Sequence, residues 1–293
     1  MPNDKKETKK HFGFFKNKSK QEVNIASLKS NQQAILDKDT PFVIQEAYKT
    51  TRTNIIFAVS GSTEKRCKLI AFTSANPNEG KSTTCINLGI TFAQTGVKVL
   101  IIDCDLRNPK SHQYLGVTKT NGLSTILSKQ CTFDEAVYHD IRPSLDLIAS
   151  GSIPPNPAEL LSSDAMGQLL DEISGRYDYI FFDTPPATVV TDAVALSKFL
   201  DGIVLVVREG YTNHESLEHA ISLLKLAHAK ILGFFVNDVD PNNVNYGVYQ
   251  RGYGRSRGYK YNYRYSYRYG PAPAPDSSAS NKKDSSADDT AAG

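Results

Sequence analysis

The sequence predicts an α/β fold: a doubly wound, mainly parallel sheet with disordered N- and C-terminal tails. Three observations carry this expectation. From Lys68 to about residue 240, short apolar runs alternate with helix-length segments, the pattern of a parallel sheet covered on both faces. The first run leads straight into a Gly-Lys-Ser turn, and two later runs end on an aspartate, Asp103 and Asp183. Beyond Pro241 the periodicity stops.

Taken in order, residues 1–40 are polar and lysine-rich and are expected to be poorly ordered. Pro41 to Ser60 reads as a helix, with Val43, Ile44, Ala47, Ile55 and Phe57 set among Glu46, Lys49 and Arg52. Strands are expected at Leu69–Thr73, Val97–Asp103, Ser144–Ala149, Tyr179–Asp183, Gly202–Val207 and Ile231–Val236. Helices are expected between them at Ser82–Gln94, Asp164–Ser174 and Glu215–His228. Right-handed crossovers would bring the strand C-termini to one edge, where ligands bind. The chain thus divides into a basic N-terminus (1–40), one α/β domain (41–240), a tyrosine-rich segment (241–270) and a Pro/Ala/Ser/Asp tail (271–293). The last two cannot form a core and are expected to be disordered.

Composition narrows the function classes. The 293 residues suffice for one large domain with tails. A formal charge of +3 is too small to argue for nucleic acid. Cys67, Cys85, Cys104 and Cys131 lie apart without CxxC spacing, which reads as reduced thiols in a cytoplasmic protein, not a disulfide framework or zinc site. No apolar run approaches the roughly 18 residues needed to span a bilayer, and no signal-peptide core follows the N-terminal lysines. Any membrane association is therefore expected to be peripheral.

The chemistry-bearing residues lie at the predicted strand ends. Ala75-Asn76-Pro77-Asn78-Glu79-Gly80-Lys81-Ser82-Thr83 follows a strand and opens a helix, the setting of a P-loop. Backbone N–H groups at such a helix start point at phosphate, where the helix dipole also favours negative charge. Lys81 is expected to reach the β- and γ-phosphates of ATP and Ser82 to ligate Mg²⁺. Asp183 ends the run Tyr179-Ile180-Phe181-Phe182. An acid at the tip of a buried strand is expensive unless it faces solvent or a cation, and beside the P-loop Asp183 is expected to hold the same metal. Asp103 and Asp105 are alternate residues, so in an extended segment both carboxylates would face one site. Mg²⁺ would relieve their repulsion, and one of them would accept a proton from an incoming hydroxyl.

Together these motifs resemble the bacterial protein-tyrosine kinases (BY-kinases) of capsule and exopolysaccharide synthesis. The second Walker motif stands as Leu100-Ile101-Ile102-Asp103-Cys104-Asp105-Leu106-Arg107 and Walker B as Ile180-Phe181-Phe182-Asp183-Thr184-Pro185-Pro186. Further similarity lies at Gly151-x2-Pro154-Pro155-Asn156-Pro157-Ala158-Glu159-Leu160-Leu161 and Glu46-Ala47-Tyr48-x3-Arg52-Thr53-Asn54. The fold implied is the P-loop NTPase fold of the MinD/ParA type. Those relatives carry an extra lysine early in the loop, where this chain has Asn76. A MinD/ParA-type ATPase switch without kinase activity is the alternative reading.

The resemblance implies an ATP:protein-tyrosine phosphotransferase, with Lys81, Asp103 and Asp105 catalytic and Ser82, Asp103, Asp105 and Asp183 at the metal. Which of Asp103 and Asp105 is the base stays open. The family's subunit-joining helix motif Glu-x2-Arg-x2-Arg stands here as Glu46-x2-Lys49-x2-Arg52, implying a ring in which Lys49 lacks the planar fork of arginine. The implied partners are a membrane adaptor that activates the kinase at the inner face of the membrane and a phosphatase that opposes it.

Nine of the fifteen tyrosines fall between Tyr246 and Tyr269. Tyr253, Tyr259, Tyr261, Tyr263, Tyr265, Tyr267 and Tyr269 are the expected phosphoacceptors, and regulation of extracellular polysaccharide assembly is the implied outcome. Residues 242–270 hold Lys260 and five arginines with no acid. Tyr stacking with interleaved Arg also suits single-stranded nucleic acid, but a kinase domain accounts for the tyrosines better as substrates, and no nucleic acid is expected.

Overall fold

The computed structural model describes residues 32–60, 67–117 and 121–239. The strands are β1 (Lys68–Ser74), β2 (Val99–Asp103), β3 (Val137–Arg142), β4 (Leu145–Ile148), β5 (Tyr179–Asp183), β6 (Gly202–Arg208) and β7 (Ile231–Asn237). They form one sheet in the order β3-β4-β2-β5-β1-β6-β7. All neighbouring pairs are parallel except β3 with β4. The helices are α1 (Phe42–Val59), α2 (Lys81–Ala93), α3 (Ser111–Leu115), α4 (Leu123–Leu127), α5 (Phe133–Ala136), α6 (Pro157–Leu161), α7 (Asp164–Ile173), α8 (Asp192–Leu196) and α9 (His214–Leu226).

All six expected strands and all four expected helices form close to the expected bounds. The sheet has one more strand than expected. β3 is a mostly polar edge strand with only Val137 buried. Its register shifts between Tyr138 and Arg142, with Asp140 at φ +48°. Such a segment carries no apolar run for a sequence pattern to register.

Strand side chains alternate between two cores, as period two requires. Ile70, Phe72, Ile101 and Phe181 pack with α1 and α2, while Ala71, Leu100, Ile102, Ile180 and Phe182 pack on the other face with α7 and α9. Phe181 meets Phe72 and Phe92 edge-on, each at 5.1 Å between ring centroids, a geometry that adds about 0.5–1.5 kcal/mol per pair beyond area burial.

Packed residues are found on the N-terminal side of the expected boundary at residue 41. Ile35 and Leu36 are buried. Asn87 of α2 fastens them: its Oδ1 accepts from Leu36 N at 2.8 Å, and its Nδ2 donates to Ala34 O at 3.0 Å and Tyr48 Oη at 3.1 Å. Tyr48 of α1 in turn stacks on Phe235 of β7 at 5.5 Å. A polar, lysine-rich composition averaged over residues 1–40 hides this short apolar anchor. The remainder of the N-terminus, and the segment with Tyr253, Tyr259, Tyr261, Tyr263, Tyr265, Tyr267 and Tyr269, lie outside the described residues.

Candidate functional site

The sheet order makes the site. β5 lies between β1 and β2, and its parallel register with β2 sets Asp183 directly beside Asp103 at the strand C-termini. β1 runs into the P-loop at the same edge, and α2 starts at Lys81. Gly80 adopts φ +90° immediately before α2, a conformation that costs an L-residue with a Cβ about 1–2 kcal/mol. A Cβ there would also lie 2.0 Å from Asn237 Nδ2, the group that donates to Glu79 O at 3.1 Å.

The P-loop is held from within and from behind. Glu79 is fully buried. Its carboxylate accepts from Asn76 N and Asn76 Nδ2, each at 3.0 Å, and from Thr212 Oγ1 at 2.7 Å. Asn76 Nδ2 also donates to Ser216 Oγ at 2.9 Å. The position that bears a lysine in the MinD/ParA type is thus an asparagine tied into its own loop. Ala75 O accepts from the Thr188 hydroxyl, Asn78 takes φ +64°, and Pro77 is exposed at the tip.

Four charged side chains meet behind the loop. Lys81 Nζ lies 3.2 Å from Asp105 Oδ2 and 3.9 Å from Asp183 Oδ1. Burial alone would lower the pKa of the Lys81 ammonium, but Asp183 and Asp105 raise it by more. Asp103 is sealed. Its Oδ1 accepts from Asp105 N at 3.2 Å and its Oδ2 from Ser111 N at 3.1 Å. Burial, then the charges of Asp183 and Asp105, push its pKa up to about 8. Burial also raises the pKa of Asp183 against the pull of Lys81. Asp183 Oδ2 accepts from Ser111 Oγ at 3.2 Å, while Asp183 Oδ1 is buried with no hydrogen-bond partner. β2 ends at Asp103, and the turn that follows makes Asp103 its anchor and leaves Asp105 beside Lys81.

A cavity of about 560 Å³ opens in front, lined by Lys81, Ser82, Thr83, Arg208, Asn237 and Asp238 among others, within the usual size of a small-molecule site. Thr83, Asn237 and Ala34 also line an adjoining cavity of about 500 Å³ under the residue 33–41 segment. Arg208 and Asp238 pair across 2.8 Å. The sequence reading assigned no role to Arg208, Asn237, Asp238 or Ser111. Nothing in their spacing signals one, because β6 and β7 reach the P-loop only through the sheet order.

The expected subunit-joining residues lie on α1. Glu46 and Lys49 pair with each other at 2.7 Å on the surface, and Arg52 Nη1 donates to Thr91 O of α2 at 2.7 Å. Among the described residues no three His, Cys, Asp or Glu side chains form a ready-made metal cage. Mg²⁺ takes one or two carboxylates and completes its shell with water and phosphate oxygens. Asp183 Oδ1, which lacks a hydrogen bond, and the Ser82 hydroxyl fit this role.

The family model for an AAA domain matches residues 67–233. Tyrosine-protein kinase YwqD of Bacillus subtilis (strain 168) is 44% identical over 205 residues, spanning 70% of this chain and 85% of YwqD. The chain belongs to the bacterial tyrosine-protein kinase family. Among solved structures, the kinase domain of Escherichia coli tyrosine kinase ETK is 32% identical with a TM-score of 0.63, covering 73% of this kinase and 80% of that domain. A Pyrococcus horikoshii MinD structure, 23% identical with a TM-score of 0.50 over 58% of this chain and 70% of that one, shares the fold alone. The kinase has, among its described residues, no helix long and apolar enough to cross a membrane.

Proposed function

We propose that this kinase transfers the γ-phosphoryl group of ATP to tyrosines of its own C-terminal segment, Tyr253 to Tyr269. The observation that carries the reading is the 3.2 Å contact of Lys81 with Asp105 beneath the P-loop. Asp103 and Asp105 divide the work: Asp103 has both oxygens bound to backbone N–H groups, whereas Asp105 is held by Asn108 N at 3.0 Å and otherwise by Lys81. A triphosphate competes with Asp105 for Lys81. Once Lys81 turns to the phosphates, Asp105 is free to accept the tyrosine proton as the new O–P bond forms and ADP leaves. Asp103 is then the positioning acid and Asp105 the base. Mg²⁺, held by Ser82 and Asp183, would neutralise charge on the phosphate oxygens. The backbone N–H groups at the start of α2 and Lys81 stabilise the charge that shifts toward the leaving diphosphate.

Self-association is proposed through α1, which carries Glu46, Lys49 and Arg52 and exposes Phe42, Val43 and Phe57, so that one subunit's tail enters a neighbour's site. A membrane adaptor would activate the kinase at the inner face of the membrane, a tyrosine phosphatase would reverse the reaction, and polysaccharide assembly would be its output. Each phosphate adds roughly −1.5 to −2 charges at pH 7, so a few of them reverse the sign of a segment with five arginines, one lysine and no acid.

The test mixes a full-length Lys81→Met chain, able only to receive phosphate, with an intact-loop chain lacking residues 242–293, able only to donate it. Phosphotyrosine on the Lys81→Met chain is expected. If wild type labels under the same conditions and the mixture does not, transfer between subunits is wrong.

A further inference from the structure

Arg107 follows Asp105 by two residues and reaches across the site to the loop after β5. Its Nε lies 3.0 Å from Asp192 Oδ2 and its Nη2 3.2 Å from Asp192 Oδ1, a two-point fork. Asp192 is fully buried at the first turn of α8, while the Arg107 side chain is 44% exposed. The far side of the same loop is bolted to β1 and the P-loop. Thr184 Oγ1 donates to Phe72 O, Ala187 N to Ser74 O, and Thr188 Oγ1 to Ala75 O. Asp192 therefore stands on a frame shared with Lys81.

On the other side of the fork, residues 105–108 form a short turn. Asp105 Oδ1 accepts from Asn108 N, and Leu106 is buried between Asp105 and Arg107. A guanidinium held at two points fixes orientation as well as distance. We infer that the Arg107–Asp192 fork is the positioning device for Asp105: it ties the Asp105 turn to the frame that carries the P-loop. The inference rests on the role proposed for Asp105 in phosphotransfer. Stability alone is a weak explanation for the pair, since its cation is partly exposed and apolar side chains of similar volume often replace even a fully buried pair without loss.

Replacing the ion pair by an apolar pair supplies the experiment, done in the full-length protein with its activator. Arg107→Met alone strands a buried carboxylate and lowers both Tm and kcat. Adding Asp192→Leu removes that charge, so Tm returns toward wild type. The kcat for tyrosine phosphorylation is expected to stay down by about tenfold or more, since displacing a reacting group by about 1 Å costs up to 10²-fold, with the ATP KM little changed. A kcat that recovers together with Tm overturns the inference. Arg107→Lys keeps a cation beside Asp192 and hence the fold, but loses the fork. It is expected to lower kcat at an unchanged ATP KM, and an unchanged kcat again overturns the inference. Asp105→Asn run alongside separates the two layers. An active Asp105→Asn chain defeats the role of Asp105, and the positioning inference falls with it. An inactive Asp105→Asn chain beside a fully active double variant defeats the positioning inference alone.

Discussion

Lys81→Met probes the centre of the site because Lys81 is the cation of a cluster that includes three buried carboxylates. Its ammonium sits 3.2 Å from Asp105 and 3.9 Å from Asp183. Methionine fills a similar volume but leaves those acids without their counter-ion. Breaking a buried ion pair by removing one member costs about 3–5 kcal/mol. Protonation of the carboxyls relieves part of this, so the lower end, about 3 kcal/mol, is expected at pH 8. For a body of this size that corresponds to a fall in Tm of roughly 6–12 °C. The pH dependence has a definite sign. Asp103 and Asp183 already have folded pKa values above the usual carboxylate range, and removing Lys81 raises them further. A group of that kind costs stability as pH rises from its unfolded to its folded pKa and returns it as pH falls. The gap between Lys81→Met and wild type should therefore narrow from pH 8 to pH 6 in thermal melts without nucleotide or magnesium. A gap under about 2 °C at pH 8, or one that widens on acidification, would refute the account of Lys81 as the counter-ion of this cluster. In phosphotransfer the same variant should lose at least about 10²-fold in kcat, the scale seen when one preorganised donor to developing charge is removed.

Three further outcomes follow from local geometry. Gly80→Ala forces a Cβ into the left-handed region and against Asn237; a loss of about 2–3 kcal/mol is expected, partly recovered by adding Asn237→Ala, and equal melting of Gly80→Ala and wild type would contradict it. Asn87→Ala removes three hydrogen bonds that hold Ala34, Leu36 and Tyr48, so hydrogen exchange at residues 34–37 should quicken and stability fall by about 2–3 kcal/mol; unaltered exchange there would show that the segment is held by packing alone. In native protein at pH 8 only Cys131, which is half-buried, should react promptly with a thiol reagent. Cys67 has its pKa pushed up to about 12 by burial and by Asp201, and Cys85 and Cys104 are fully buried; prompt reaction of a second thiol would contradict that ordering.

The parts legible in the sequence were those written locally. β2 and β5 are buried on both faces, so they read as unbroken apolar runs, and their terminal acids stand out because hydrophobic strands rarely end on a charge by accident. The Gly-Lys-Ser turn is likewise a local signal, since Gly80 must take a positive φ and Lys81 must open a helix. Illegible were the residues whose role depends on which strands become neighbours. Asp192 and Asn237 lie far along the chain from Arg107 and Glu79, and only the order β2-β5-β1-β6-β7 brings them together. The expected strand ends at Asp103, as β2 does, but the turn after it, which gives the two aspartates different surroundings, carries no periodic signal. β3 escaped because an edge strand with one buried residue has no apolar pattern.

The most direct measurement is intact mass and phosphopeptide mapping of the purified full-length kinase after incubation with ATP, Mg²⁺ and an activating adaptor segment. Phosphate should appear on tyrosines within residues 241–270 in wild type, and Lys81→Met and Asp105→Asn incubated alone should remain unmodified. Phosphotyrosine in the Lys81→Met chain alone, or hydrolysis of ATP by wild type with the tail left unmodified, would contradict the account.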